Sequence, residues 1–219
     1  MTRISAAERR TALVQAALRV VAKDGVSAAT TRRIVAEAGM SLASFHYVFD
    51  SRDELMAELI EAALASEQAD LAPVLLPRPG ERPTGLREVL RLGLQHYFDG
   101  VRAAPERETA LLELTQWALR EPGFAPLAKR QYDRYFELAA QAVETAARLS
   151  GSEWRRPVAD IARLLVTLTD GLTVAWLVTR DDDAAEAALD FAADALAALA
   201  APASALAAAA APSTEAGSR

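Results

Sequence analysis

Apolar residues recur every three or four positions through most of the chain, the period of a helix with one buried face. Leu13, Val14, Ala17, Leu18 and Val21 form such a stripe and predict a first helix over about residues 7–23, stopped by Asp24-Gly25. Ile34, Val35 and Ala38 mark a shorter one, and Leu55, Leu59 and Leu64 another. Residues 73–85, PVLLPRPGERPTG, hold four prolines and two glycines and read as a loop. Further helices are expected over about 86–103, 107–120, 124–149, 154–179 and 183–199. Pro105, Glu121-Pro122-Gly123 and Ser150-Gly151 separate the earlier ones. The helix at 154–179, expected to start with Trp154, is the most apolar, with Leu164, Leu165, Leu168, Leu172 and Trp176. From about Ala201 the chain is low-complexity Ala, Pro, Ser and Gly, a composition expected to fray or stay disordered. No stretch alternates with period two, so no strand is expected and the fold class is all-α.

Residues 30–55, TTRRIVAEAGMSLASFHYVFDSRDEL, carry the most specific pattern. Thr30 has the side chain to cap a short helix. Gly39 follows Ala38, where a helix end favours a left-handed residue. Met40 is expected to plug the core, and Ser41 to cap the next helix. Phe45 and Phe49, four apart, point to the core and turn the residues between them outward. Asp50 or Ser51 begins the following helix, with Asp53 and Glu54 in its first turn, where the helix dipole favours acids. Helix, glycine turn and second short helix make a helix-turn-helix, whose second member is sized for a DNA major groove.

This segment resembles the DNA-binding region of TetR-family transcriptional regulators. Thr30, Arg32, Ile34, Gly39, Met40, Ser41, Ala43, Ser44, Phe45, Phe49, Ser51, Arg52 and Leu55 match the family pattern, and the close match covers roughly residues 8–60. Val35 stands where the family usually has Ala, and Leu42 where a polar residue is common. His46, Tyr47 and Val48 replace the usual Tyr, His and Tyr. The resemblance implies an N-terminal three-helix helix-turn-helix domain (1–52), a helical effector-binding and dimerisation domain (53–200) and a tail (201–219). It also implies a homodimer through the helices at 154–179 and 183–199, packed as a four-helix bundle. Such a dimer reads a palindromic double-stranded DNA operator.

Charge supports a polar division of labour. The net charge is −6, yet residues 1–52 hold eight basic side chains against four acidic ones. That stretch therefore carries +4 and the remainder −10, which points the basic head at phosphates and keeps the acidic body off them. Cysteine is absent, which removes disulfides and thiolate metal sites. The two histidines, His46 and His96, lie far apart in sequence, and no metal or other cofactor is expected. The polar N-terminus does not read as a secretory signal. No apolar run is seen to reach the ~20 uncharged residues of a membrane helix, so a cytoplasmic protein without a membrane partner is expected.

Candidate chemistry follows. Leu42, Ala43 and His46, with Ser44 and Ser41 beside them, are placed to meet base edges. Leu42 and Ala43 suit thymine methyls, and His46 suits a purine edge. With no Arg or Gln on this helix, specificity is expected to lean on methyl contacts and DNA shape. Thr30, Thr31, Arg32, Tyr47 and Arg52 are the phosphate candidates by position and donor type. In the body, His96, Glu113, Trp117, Tyr132, Phe136, Asp170 and Trp176 are candidates for the cavity that the resemblance implies, for an unidentified small apolar or aromatic effector. Asp170, inside an apolar helix, needs a donor, since an unpaired buried carboxylate costs several kcal/mol. The expected function is a repressor released from its operator by that effector. A regulator without an effector is the alternative. An enzyme is disfavoured: there is no glycine-rich phosphate loop, no Glu-x-x-His pattern, no cysteine nucleophile and no His near a Ser-Asp pair.

Overall fold

The computed structural model describes residues 4–71 and 84–203, with side chains from 63 to 71 left aside. The loop expected at 73–85 lies almost wholly outside the described residues, as does the tail beyond Ala203. The described residues hold nine α-helices: α1 (Ala6–Asp24), α2 (Thr31–Glu37), α3 (Leu42–His46), α4 (Arg52–Leu71), α5 (Leu86–Ala103), α6 (Pro105–Arg120), α7 (Ala125–Ser150), α8 (Val158–Thr179) and α9 (Asp182–Ala197). The all-α class read from the pattern is what the chain adopts, and the helix bounds fall within a few residues of expectation.

Two compact units divide the chain, Met1–Ala72 with Asp99–Tyr135, and Pro73–Phe98 with Phe136–Arg219. The division does not follow the boundary expected at residue 52. The first unit has one core that α6 and the start of α7 share with the head: Ala110, Leu114, Ala118, Leu127 and Ala128 pack with Leu13, Ala17, Ile34, Phe45, Phe49 and Leu59. Local chemistry sets the helix ends here. Ser5 and Glu8 form a reciprocal capping box on α1, with Glu8 N to Ser5 Oγ at 3.2 Å and Ser5 N to Glu8 Oε2 at 2.8 Å. Arg10 ties three segments together. Its guanidinium donates to the Val48 carbonyl at 2.5 Å, pairs with Glu54 at 2.7 Å and with Glu58, and lies 4.2 Å from the centre of the Phe49 ring.

In the second unit, Asp181 caps α9 by accepting from Ala184 N at 2.9 Å. Arg87 and Arg91 of α5 meet Glu186, Asp190 and Asp194 of α9 in a ladder of ion pairs. Two expectations are corrected. The helix expected from Trp154 starts at Val158, because Pro157 pushes the residue before it out of the α region. Ser152–Trp154 is instead a strand, β1, antiparallel to β2 (Ala200–Pro202), although no strand was expected. Three-residue strands are too short to show alternation. The Trp154 indole donates to the Val143 carbonyl at 3.0 Å, and Ala203 N donates to Gly151 O at 3.0 Å. The first three residues of the expected frayed tail, 201–203, are thereby pinned. Asp160, Arg163 and Asp170 interrupt α8, so it holds no uncharged run of membrane length, although by length and composition it is apolar enough to cross a membrane, with a mean hydropathy of 1.6 over its most apolar window.

Glu54 carries a testable consequence. It accepts from Asp50 N at 2.8 Å and pairs with Arg10, and both interactions hold its carboxyl below the ordinary value of 4.5. Its stabilising contribution is therefore complete above pH 4.5 and drains as pH falls through the lower folded value. Thermal unfolding of Glu54→Gln should show a lower melting temperature than wild type at pH 7. The gap should narrow below pH 4; a gap that persists there would contradict the assignment.

Candidate nucleic-acid interface

The turn between α2 and α3 is built as the sequence suggests. Thr30 Oγ1 accepts from Arg33 N at 3.3 Å and caps α2. Gly39 has φ +63°, a conformation that side chains resist. Met40 N then reaches Val35 O at 2.8 Å, and Met40 packs half-buried against the core. Ser41 Oγ accepts from Ser44 N at 3.2 Å and lies 3.0 Å from Ser44 Oγ, so α3 is capped. Ser51 Oγ accepts from Glu54 N at 3.1 Å and begins α4.

Phe45 and Phe49 are each 1% exposed, with ring centres 5.5 Å apart. Their burial turns Ser41, Leu42, Ala43, His46 and Tyr47 to solvent, while Ser44 is half-buried. Tyr47 is 68% exposed and is therefore not a core aromatic. His46 stands edge-on to Phe45 at 5.4 Å. Thr30 and Arg32 are exposed and Thr31 half-buried.

The cations of this unit fall into two groups. Arg19 pairs with Glu37 and Arg33 with Asp24, each at 2.8 Å. Arg52, expected at a phosphate, is turned inward. It donates to the carbonyls of Ala29 at 2.7 Å and Val26 at 3.2 Å, with its guanidinium 5.7 Å from the Trp117 ring centre. Among the described residues of α1 to α4, Arg9, Lys23 and Arg32 have, besides Arg52, no carboxylate partner. Sequence reading missed Arg9, whose guanidinium lies 5.2 Å from the Tyr47 ring centre. It also missed the structural work of Arg10, although Arg10 shares a helical face with Leu13, Val14 and Ala17.

Candidate effector residues are distributed over both units. Glu113 accepts from Val26 N at 2.8 Å and its carboxylate lies 3.0 Å from where a Cβ on Gly25 would stand. Gly25 also has φ +82°, so the backbone favours glycine there, and any side chain would press on the Glu113 carboxylate. Glu113 is thus a tie to the turn before α2. Trp117 stacks edge-on with Phe124 at 4.6 Å, and Tyr132 packs on Tyr135 at 5.6 Å. In the other unit, His96 is buried and Asp170 half-buried. Trp176 donates to Asp182 Oδ1 at 2.8 Å and meets Phe98 edge-on at 5.5 Å, and Phe136 lies 5.7 Å from the Arg163 guanidinium.

A capped, solvent-facing short helix after a glycine turn is the geometry of a helix-turn-helix. Two family models match the chain: bacterial regulatory proteins of the tetR family over residues 13–59, and the BetI-type transcriptional repressor C-terminal domain over residues 86–201. The chain belongs to the TetR family of transcriptional regulators, with a BetI-type C-terminal domain; it is a DNA-binding repressor and not an enzyme. It is similar to the nicotine-responsive transcriptional repressor HdnoR of Paenarthrobacter nicotinovorans, 28% identical over 82% of this chain and 89% of that protein. The regulator BetI of Agrobacterium fabrum is 35% identical over 48% of each chain. The crystal structure of the multidrug binding protein EbrR complexed with imidazole superposes with a TM-score of 0.60 at 25% identity, covering 83% of this chain and 93% of that one.

Replacing Arg52 by Ala should leave two carbonyls without their charged donor and cost about 1–3 kcal/mol. Urea unfolding measures this. Arg52→Ala should leave the salt dependence of DNA binding unchanged, because its charge already faces the turn.

Proposed function

We propose that two copies of the chain pair through α8 and α9 and present two α3 helices to a palindromic operator. The observation that carries this reading is the orientation of α3, with Phe45 and Phe49 buried and Leu42, Ala43, His46 and Tyr47 facing solvent. Leu42 and Ala43 lie against thymine methyls, His46 meets a purine edge, and Ser41 and Ser44 supply short hydroxyl contacts. Thr30, Thr31, Arg32 and Tyr47 hold the backbone, while Arg52 supports the turn from within.

Pairing is supported by the outward face of α8 and α9. Leu164, Val174, Val178 and Phe191 are exposed, Phe191 by 65% and Val178 by 79%. A concavity of about 240 Å³ opens beside them, lined by Leu168, Gly171, Leu172, Ala188 and Phe191 among others. A second copy covers these side chains, which also accounts for the membrane-like hydropathy of α8. The effector is a small aromatic nitrogen base. HdnoR responds to nicotine and EbrR is complexed with imidazole, and the aromatic groups Phe98, Phe136 and Trp176 with Asp170 are suited to such a molecule. The protein works in the cytoplasm, beside the chromosome.

Fluorescence anisotropy on DNA from upstream of its own gene tests the head. Arg32→Ala should weaken binding and reduce the slope of log affinity against log salt by about 0.9 per head. Absence of any palindromic site would sink the reading. Sedimentation of Phe191→Asp should show monomers at concentrations where wild type is dimeric.

A further inference from the structure

Arg9 is the strongest polar feature near α3 that the interface above leaves unused. It sits on the second turn of α1, half-buried, without a carboxylate partner among the described residues. Its neighbours differ: Arg10 is consumed by Glu54, Glu58 and the Val48 carbonyl, and Glu8 by the capping box. The guanidinium carbon of Arg9 lies 5.2 Å from the centre of the Tyr47 ring. Tyr47 closes α3, directly after His46, and is 68% exposed. A cation over an aromatic face at this distance is held by the ring quadrupole, and the ring takes none of its N–H donors. An exposed arginine otherwise spreads over many rotamers and loses entropy when it binds.

We propose that Arg9 and Tyr47 act as one phosphate clamp, in which the Tyr47 ring positions the Arg9 guanidinium at the end of the recognition helix for a DNA backbone phosphate. The inference rests on the reading of α3 as the DNA-reading helix and adds a contact from α1. It gives Tyr47 two tasks, a hydroxyl donor to the backbone and a support for a charge on another helix. Arginine suits the position better than lysine, because its planar group both stacks and donates two parallel hydrogen bonds to phosphate.

The test is the salt dependence of binding to a duplex selected by wild-type protein from a randomised pool. Arg9→Ala should lower the slope by about 0.9 per head. Tyr47→Ala removes no charge, yet should lower the slope in the same direction, because Arg9 loses its support. Tyr47→Phe keeps the ring and should keep the slope while weakening affinity. The Arg9→Ala, Tyr47→Ala double variant should have the slope of Arg9→Ala alone. Both side chains lie at the surface, and equal melting temperatures confirm that the variants fold. A Tyr47→Ala slope equal to wild type, or an Arg9→Ala slope equal to wild type, overturns the clamp and leaves the DNA reading intact. A wild-type protein that selects no duplex overturns that reading and the clamp with it.

Discussion

Burial of Phe45 and Phe49 is the constraint on which the reading surface depends. α3 has five residues, far fewer than a helix needs to persist by itself in water. It exists because two rings are sunk in the core on one side of it, and because both ends are held. Ser41 caps the start, and Arg10 holds the Val48 carbonyl just past the end while packing on Phe49. Every outward residue takes its direction from that anchoring. A polar substitution at either phenylalanine would therefore undo that surface, although neither ring is part of it.

A second set of contacts fixes the turn that delivers the chain to α2. Arg52 of α4 donates to the carbonyls of Val26 and Ala29, and Glu113 of α6 accepts from the Val26 N–H. Trp117, one turn beyond Glu113, lies against the Arg52 guanidinium. Opposite charges thus take up opposite ends of the same backbone segment. This explains why α6 belongs to the same compact unit as the head. A displacement of α6 either carries the turn with it or breaks the Glu113 bond.

The helix-turn-helix was legible because its signals are local. Thr30, Gly39, Ser41 and Ser51 act on residues within four positions, and Phe45 and Phe49 share a face by period alone. The misreadings involve partners distant in sequence. Arg52 matched a family position for a surface cation, but the carbonyls it serves lie 23 and 26 positions earlier. Glu113 looked like a pocket acid, and its partner is 87 positions away. The β1–β2 pair joins segments almost fifty positions apart, and neither three-residue strand carries a pattern of its own. Trp154 matched the apolar run of α8, but Pro157 stood between them and set the true boundary.

The same distance problem alters the charge argument. A head charge of +4 suggests a generous supply of cations for phosphate, yet four of the seven basic residues described between positions 4 and 52 are already committed. Arg10, Arg19 and Arg33 face carboxylates and Arg52 faces carbonyls. Such pairs on a partly solvated surface add little stability each, but they fix where charge is withheld. Among the described residues, Arg9, Lys23 and Arg32 remain, so fewer of these cations than the net charge suggests are free to displace counterions from DNA. On the proposed reading, affinity then comes from hydroxyls and apolar contacts along α3 and from the pairing of two copies. In the proposed dimer, the outward apolar face of α8 and α9 then matters to DNA binding as much as α3 does. One copy, with Arg9, Lys23 and Arg32 the uncommitted cations among the described residues of α1 to α4 and a five-residue α3, offers few charged contacts of its own, which is why the proposed pairing carries weight.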